Sequence, residues 1–228
     1  MGRLALLAAL VLALAACGGD DDEEAAAPPT TEAATRAETA APSAEGCESV
    51  GRPAPRASGQ EKAPTALLNE TKTYSVVVDT SCGTFTITLD PKASPKAVAS
   101  FVALAENDFF DGTFFHRIVP GFVIQGGDPS GTGTGGPGYL TEDTPAAGTT
   151  YTEGVVAMAK TGADPPGTAG SQFFIVTAPD AGLPAEYAVI GKVTGGKEVV
   201  ARIAVLGDPN TELPTQPVVI DDMAVEVE

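Results

Sequence analysis

The sequence predicts a mainly β domain, a closed antiparallel barrel with helices at its ends. Two observations predict it: short β-branched and aromatic runs recur between Gly/Pro-rich turns from residue 74 onward, and only two stretches carry a helical pattern. So many short strands are most simply accommodated by closure, which leaves no unpaired edge. In order, Tyr74-Ser75-Val76-Val77-Val78 is the first strand, and Thr84 to Leu89 alternates Thr with Phe, Ile and Leu as the second, with Ser81-Cys82-Gly83 turning between them. Ser94 followed by Pro95 starts a helix, with Ser as cap and Pro where its missing N–H costs nothing; Val98, Phe101, Val102 and Ala105 share one face of it. Further strands are expected at Phe115 to Val119, Phe122 to Gln125, Val155 to Ala159, Phe173 to Val176 and Ala188 to Val193. A second helix at about Lys197 to Ala204 precedes a last strand near Val218 to Val227.

The 228 residues are 43% apolar, enough for one domain and a surplus. Thirteen basic residues stand against 30 acidic ones, for a net charge of −17, which excludes a broad phosphate-neutralising face and so argues against a nucleic-acid partner. Three cysteines and the single His116 cannot assemble a four-thiolate or His-rich metal centre, and no metal or cofactor is expected.

The surplus lies at the amino terminus. Arg3 precedes the apolar run Leu4 to Ala16, shorter than the roughly 20 residues of a bilayer span, so residues 1–16 read as a signal peptide. Leu14-Ala15-Ala16-Cys17 resembles a bacterial lipobox, which implies lipid on Cys17 and a mature chain held at the outer face of the cytoplasmic membrane. The other reading is an ordinary signal peptide whose cleavage site precedes a cysteine. Residues 17–70 are expected as a lipid-anchored, disordered linker: positions 18–70 hold 11 acidic and 4 basic residues, 6 of the 19 prolines and no aromatic. Asp20 to Glu24 reads there as a solvated spacer, since it lacks the turn geometry of a calcium loop. In an exported chain Cys47 and Cys82 are free to form a disulfide, the alternative being two free thiols. The folded domain is expected over 71–228.

Within it the densest constellation is the unbroken run from Phe110 to Asp128, which contains Phe114-Phe115-His116-Arg117 and Pro120-Gly121-Phe122-Val123-Ile124-Gln125-Gly126-Gly127. Gly135-Gly136, Val155 to Ala159, Ser171-Gln172-Phe173-Phe174-Ile175 and Tyr187 to Val193 follow in order. Together these closely resemble the signature of the cyclophilins, the peptidyl-prolyl cis-trans isomerases, over roughly residues 72 to 228. The resemblance implies an eight-stranded antiparallel barrel capped by two helices, no cofactor, and proline-containing polypeptides as substrates. It places the catalytic arginine on Arg117, with Phe122 and Gln125 as its catalytic companions. Val123, Ala159, Phe174, Leu183 and Tyr187 would line the proline pocket and its approach, with Gln172 beside it and Gly133 and Thr134 at the rim.

The chemistry explains those residue types. Turning an X–Pro bond means breaking amide resonance, a barrier of about 18 to 20 kcal/mol, and needs no covalent nucleophile. An apolar wall of Phe122, Phe174 and Leu183 disfavours the charge-separated planar amide. In the twisted state the prolyl nitrogen regains a lone pair, and the Arg117 guanidinium can bind it only then. Gln125 can hold the substrate carbonyl and orient the guanidinium. One charge-assisted hydrogen bond contributes about 1.5 to 3 kcal/mol, whereas an acceleration of roughly 10⁴ to 10⁵ requires about 5.5 to 7 kcal/mol, so the pocket must provide the rest.

His116, flanked by Phe115 and Arg117, is expected as a buried structural residue facing away from the cleft. Gly131, Gly133 and Gly136 match G-x-G-x-x-G, but Pro137-Gly138 follows where a nucleotide site needs a helix. Three positions depart from the best-known cyclophilin pattern, with Gly182 in place of Trp, Tyr187 in place of His and Val123 in place of Met, and these bear on cyclosporin binding more than on turnover. The loop Thr161 to Ala169, with Pro165-Pro166, looks longer than in compact members. The expected activity is isomerisation of X–Pro bonds in exported proteins by a monomer; the alternative is a non-catalytic module that holds proline-containing segments as a chaperone or scaffold. Arg117 favours the enzyme, because a binder needs the wall but not the donor.

Overall fold

The structure, a computed structural model, describes residues 45–228. The expected signal peptide, the lipid-attachment residue Cys17 and the first part of the expected linker lie outside the described residues. Among the described residues the elements run β1 (Tyr74–Thr80), β2 (Gly83–Leu89), α1 (Pro95–Glu106), β3 (Arg117–Val119), β4 (Val123–Gly126), β5 (Thr141–Glu142), β6 (Val155–Met158), β7 (Thr168–Ala169), β8 (Phe173–Val176), β9 (Val189–Gly195), α2 (Lys197–Ala204) and β10 (Ile220–Val227). Eight strands form one antiparallel sheet in the order β10-β1-β2-β9-β6-β8-β4-β3, and β5 with β7 make a separate two-stranded ribbon. That ribbon, two residues per strand, is too short for any periodicity to announce it.

The expected closure does not occur: the sheet curls into a half-barrel. Strands β3 and β10 share no ladder; the chain just ahead of β3 meets the start of β10 through the Phe114–Val219 bridge and three backbone hydrogen bonds, Gly112 N–H to Ile220 O, Ile220 N–H to Thr113 O and Phe115 N–H to Val218 O. The reason lies at the β3 edge. Its Ile118 N–H, which closure would pair with a strand, donates instead to the carbonyl of Glu212 at 2.9 Å, so an irregular loop occupies the position.

Alternation divides each site-bearing strand between two apolar clusters. Ile124 of β4, Val156 and Met158 of β6, and Phe173 and Ile175 of β8 face the main core. There they meet α1 through Phe101, whose ring lies 5.5 Å from that of Phe173 and 5.0 Å from that of Phe110. Val123, Ala157, Phe174 and Val176 point the opposite way and, with Tyr151 and Ala178, form a second, smaller cluster. Val98, Phe101, Val102 and Ala105 of α1 are all buried. Its start differs in one respect from expectation: Ser94 is the N-cap with Pro95 behind it, but its hydroxyl caps nothing. The Ala97 N–H is taken by Asp143 Oδ2 at 2.7 Å, a carboxylate from 46 residues away.

Residues 45–70 carry no helix or strand, yet this end of the expected linker lies along the domain rather than free of it. Cys47 and Cys82 are joined by a disulfide. The Arg52 guanidinium donates to Gly131 O and stands 4.9 Å from the centre of the Phe114 ring, and Arg56 N–H donates to Pro129 O at 2.9 Å. Gly59 N–H and Glu61 N–H reach Gly136 O and Pro137 O, each at 2.9 Å. Backbone and guanidinium hydrogen bonds hold this segment where apolar side chains are too few to do so.

Candidate active site

One row of residues crosses four neighbouring strands. Register pairs Arg117 of β3 with Gln125 of β4, Gln125 with Phe174 of β8, and Phe174 with Ala157 of β6. Adjacent strands lie about 4.8 Å apart, so the ladder alone sets a guanidinium, an amide and a phenyl ring side by side on one face. The next row, Val119, Val123 and Val176, points the same way. Beyond the strands, Phe122 leads into β4, Ala159 follows β6, and Leu183 and Tyr187 come from the loop before β9.

These residues enclose a cleft of about 160 Å³ lined by Arg117, Phe122, Val123, Gln125, Ala159, Lys160, Phe174, Leu183 and Tyr187. Every residue expected in the proline pocket is therefore in one place. Gln172, Gly133 and Thr134 line a larger neighbouring hollow of about 500 Å³, which shares Gln125, Ala159 and Lys160 with the cleft. The ring of Phe174 is 96% shielded from solvent and meets Tyr187 edge-on, with centroids 5.4 Å apart. Tyr187 is held from behind by Tyr151, whose hydroxyl donates to Tyr187 O at 2.8 Å and accepts from Tyr187 N–H at 2.9 Å.

The polar side is equally organised. Gln125 Nε2 donates to Gln172 Oε1 at 3.0 Å, and Gln172 Nε2 donates to Gly133 O and Gly135 O at 2.9 and 3.0 Å. Those carbonyls are fixed in turn by buried Asp128, whose Oδ1 accepts from the N–H and hydroxyl of Ser130 while Oδ2 accepts from the N–H groups of Thr132, Gly133 and Gly135. Burial alone would raise the Asp128 pKa, but the hydrogen bonds from Ser130, Gly135 and Gly133 outweigh it and hold the carboxyl below its ordinary value. Gly135 is required there, because a side-chain carbon would lie 2.0 Å from Asp128 Oδ1.

The guanidinium is oriented differently from expectation. Among the described residues Arg117 makes no hydrogen bond to Gln125; its Nε donates to Glu212 Oε2 at 2.7 Å. Glu212 sits in the loop before β10, its backbone in the left-handed region at φ 59°, with its N–H on Asp208 O and its carbonyl on Ile118 N–H. His116 is buried, but under the Gly131–Gly133 loop rather than in the main core, and it lines a hollow of about 530 Å³ together with Arg117 and Gln125 instead of facing away from the site as expected. Its ring packs edge-on to Phe114 and neither nitrogen has a partner. Burial lowers its pKa, with Arg117 and Arg52 adding to the effect against Asp128.

Sequence reasoning missed Glu212, Tyr151 and Lys160. Glu212 lies 95 residues from Arg117, and no spacing connects the two. Lys160 next to Ala159 carried a usable signal, a lone cation at a strand end. Its ammonium stands 5.6 Å from the Tyr187 ring centre and 3.0 Å from Glu186 Oε2.

A curled antiparallel sheet with two helices, carrying an arginine beside an apolar cleft, defines a cyclophilin-type fold and site. The family model for cyclophilin type peptidyl-prolyl cis-trans isomerase/CLD matches residues 75–225, and the chain belongs to that family. It is a peptidyl-prolyl cis-trans isomerase. It is 41% identical over 167 residues to peptidyl-prolyl cis-trans isomerase B of Streptomyces anulatus, covering 64% of this chain and 93% of the relative. Over 117 residues it is 50% identical to peptidyl-prolyl cis-trans isomerase B of Bacillus subtilis (strain 168), covering 51% and 80%. Among solved structures it is similar to a cyclophilin type peptidyl-prolyl cis-trans isomerase from Cryptosporidium parvum, with a TM-score of 0.62 and 32% identity over 68% of this chain and 98% of that one. A second structure of that protein, obtained in the presence of the dipeptide Ala-Pro, matches with a TM-score of 0.61 and 31% identity, over 67% of this chain and 98% of that one.

Proposed function

We propose that this isomerase turns X–Pro bonds of exported polypeptides at the outer face of a cytoplasmic membrane, tethered there by lipid on Cys17, and so assists their folding. Turnover takes place in the cleft between Arg117 and Phe174. The observation that carries the catalytic part is the convergence of Arg117, Phe122, Gln125, Phe174, Leu183 and Tyr187, from three strands and two loops, on one cleft. Phe122, Phe174 and Leu183 take the proline ring and strip water from its amide, which disfavours the planar, charge-separated form. The Arg117 guanidinium, held through Nε by Glu212, keeps its terminal N–H groups to donate to the prolyl nitrogen as that atom becomes pyramidal, an interaction absent in the planar ground state. Gln125, braced by Gln172, holds the substrate carbonyl with its remaining N–H.

The test is cis/trans exchange of an X–Pro peptide followed by NMR with the wild type and Arg117→Ala. The variant is expected to fold and to lose at least about tenfold in rate, the lower end of a charge-assisted hydrogen bond. Undiminished exchange in a folded variant would remove Arg117 from the reaction. Peptide that binds without exchanging in the wild type would favour a non-catalytic holding module. The location rests on the Leu4–Ala16 run ending in Cys17, and on a Cys47–Cys82 disulfide suited to an oxidising compartment. Cys17→Ala is expected to move the protein out of the membrane fraction; a variant that remains there refutes the anchor.

A further inference from the structure

The family match begins at residue 75, but the described residues begin at 45, and the additional segment reaches the surroundings of the active site. Residues 45–61 form an arm tied at one end by the Cys47–Cys82 disulfide and the Glu48 N–H to Ser81 O hydrogen bond. It passes Gly131 and Pro129, then pairs with Gly136 and Pro137 through the N–H groups of Gly59 and Glu61. The approach at its far end is close enough to demand glycine: at Gly138, φ 98°, a side-chain carbon would lie 2.6 Å from Gly59 Cα. Ser58 and Gly59 thereby become part of the wall of the 500 Å³ hollow that opens from the proline cleft across Gln125 and Ala159.

We propose that this amino-terminal arm is a specificity element, which closes one side of that hollow and restricts the substrate residue flanking the proline to small, uncharged side chains. The inference rests on the Arg117–Phe174 cleft being the place of turnover. The lining sets the chemistry. Ser58, Thr134, Tyr139 and Thr161 offer hydroxyls, and glycines 133, 135, 136 and 138 offer backbone. Its two charges are already engaged. Lys160 is held by Glu186 Oε2 at 3.0 Å and by the carbonyls of Thr161 and Asp164, while Asp164 Oδ2 accepts from the N–H and hydroxyl of Thr161. A charged substrate side chain would be dehydrated there without a free counter-ion, and a large one would meet the arm.

The experiment measures kcat/KM of the full chain by NMR exchange on Xaa-Pro peptides in which residues on either side of proline are varied singly among Gly, Ser, Lys, Glu and Trp. The wild type is expected to prefer Gly and Ser over Trp, Lys and Glu by at least fivefold at one flanking position only. Gly59→Pro removes the donor to Gly136 O and cannot adopt φ 83°, so it frees the arm; the Trp penalty is expected to fall below twofold, with the thermal midpoint unchanged. Ser58→Trp, at an exposed arm position, narrows the hollow and is expected to steepen the penalty on Trp relative to Gly-flanked peptides. Arg117→Ala serves as the control and is expected to slow every peptide by the same factor. A flat wild-type profile, or identical profiles in wild type, Gly59→Pro and Ser58→Trp with Arg117→Ala still impaired, overturns the arm's role alone. Full activity in Arg117→Ala overturns the cleft assignment and the arm's role together.

Discussion

The two sides of the cleft are built by different means. Its floor, Phe174 with Val123, stands on the central strands β8 and β4, each bonded to a neighbour on both edges. Its polar wall, Arg117, stands on the three-residue edge strand β3, which among the described residues meets the loop that carries Gly207 and Glu212 rather than a further strand. The floor is a by-product of folding: the ladder that seats Phe174 in the cleft also seats Phe173 in the core. The wall is an assembly of separate contacts. Stability and chemistry are thus concentrated on opposite sides of a cleft a few residues wide, and substitutions on each side are expected to separate them.

The largest effect is expected on the floor. Phe174→Ala removes a ring shielded on all but 4% of its surface that packs on Tyr151 and Tyr187, and is expected to cost about 3 kcal/mol of stability. The same change removes the wall that dehydrates the prolyl amide, so kcat/KM falls with it. Arg117→Ala is expected to reverse the balance, with its rate loss accompanied by almost no loss of stability. Its partner pair is 34% and 46% exposed, and such pairs contribute about 0 to 1 kcal/mol. Urea unfolding and NMR exchange on both variants check the contrast. Equal stability losses would mean that the edge strand depends on its arginine for folding.

The same division decides what was legible in the sequence. Local pattern announces strands and helices, so the approximate extents of the eight sheet strands followed from β-branched and aromatic runs between turns and those of both helices from helical spacing; alternation put only one of Phe173 and Phe174 toward the cleft, and resemblance to the cyclophilins chose Phe174. The positions of Leu183 and Tyr187 came likewise from resemblance to cyclophilins, since a loop has no periodicity to read. Glu212, Asp143 and Tyr151 were invisible because each acts across 36 to 95 residues of chain through one or two hydrogen bonds. Closure was mispredicted for a related reason: hydrophobic pattern shows that a strand exists, not whether its edge will find a strand or a loop. Residues 45–61 misled in the opposite direction. Their composition denies them a core of their own, yet one disulfide and a few backbone hydrogen bonds dock them on a surface that already exists.

The smallest effect, and the sharpest test of the wall, concerns Glu212. A non-glycine residue at φ 59° costs roughly 1 to 2 kcal/mol relative to ordinary backbone, and here that conformation brings the carboxylate to Arg117 Nε and the carbonyl to Ile118 N–H at once. If the strain serves the reaction, the two consequences separate on substitution. Glu212→Gly relieves the backbone and is expected to raise the urea midpoint while lowering kcat severalfold with KM little changed, because the guanidinium still meets substrate but is no longer aimed. Glu212→Gln keeps an acceptor oxygen without the charge and is expected to recover most of the loss, to within about threefold of wild type, an exposed ion pair being worth no more than about 1 kcal/mol. A Glu212→Gly enzyme both more stable and fully active would leave the strained carboxylate without a role in catalysis. One that lost stability and activity together would mean that the loop holds the strand edge and nothing more.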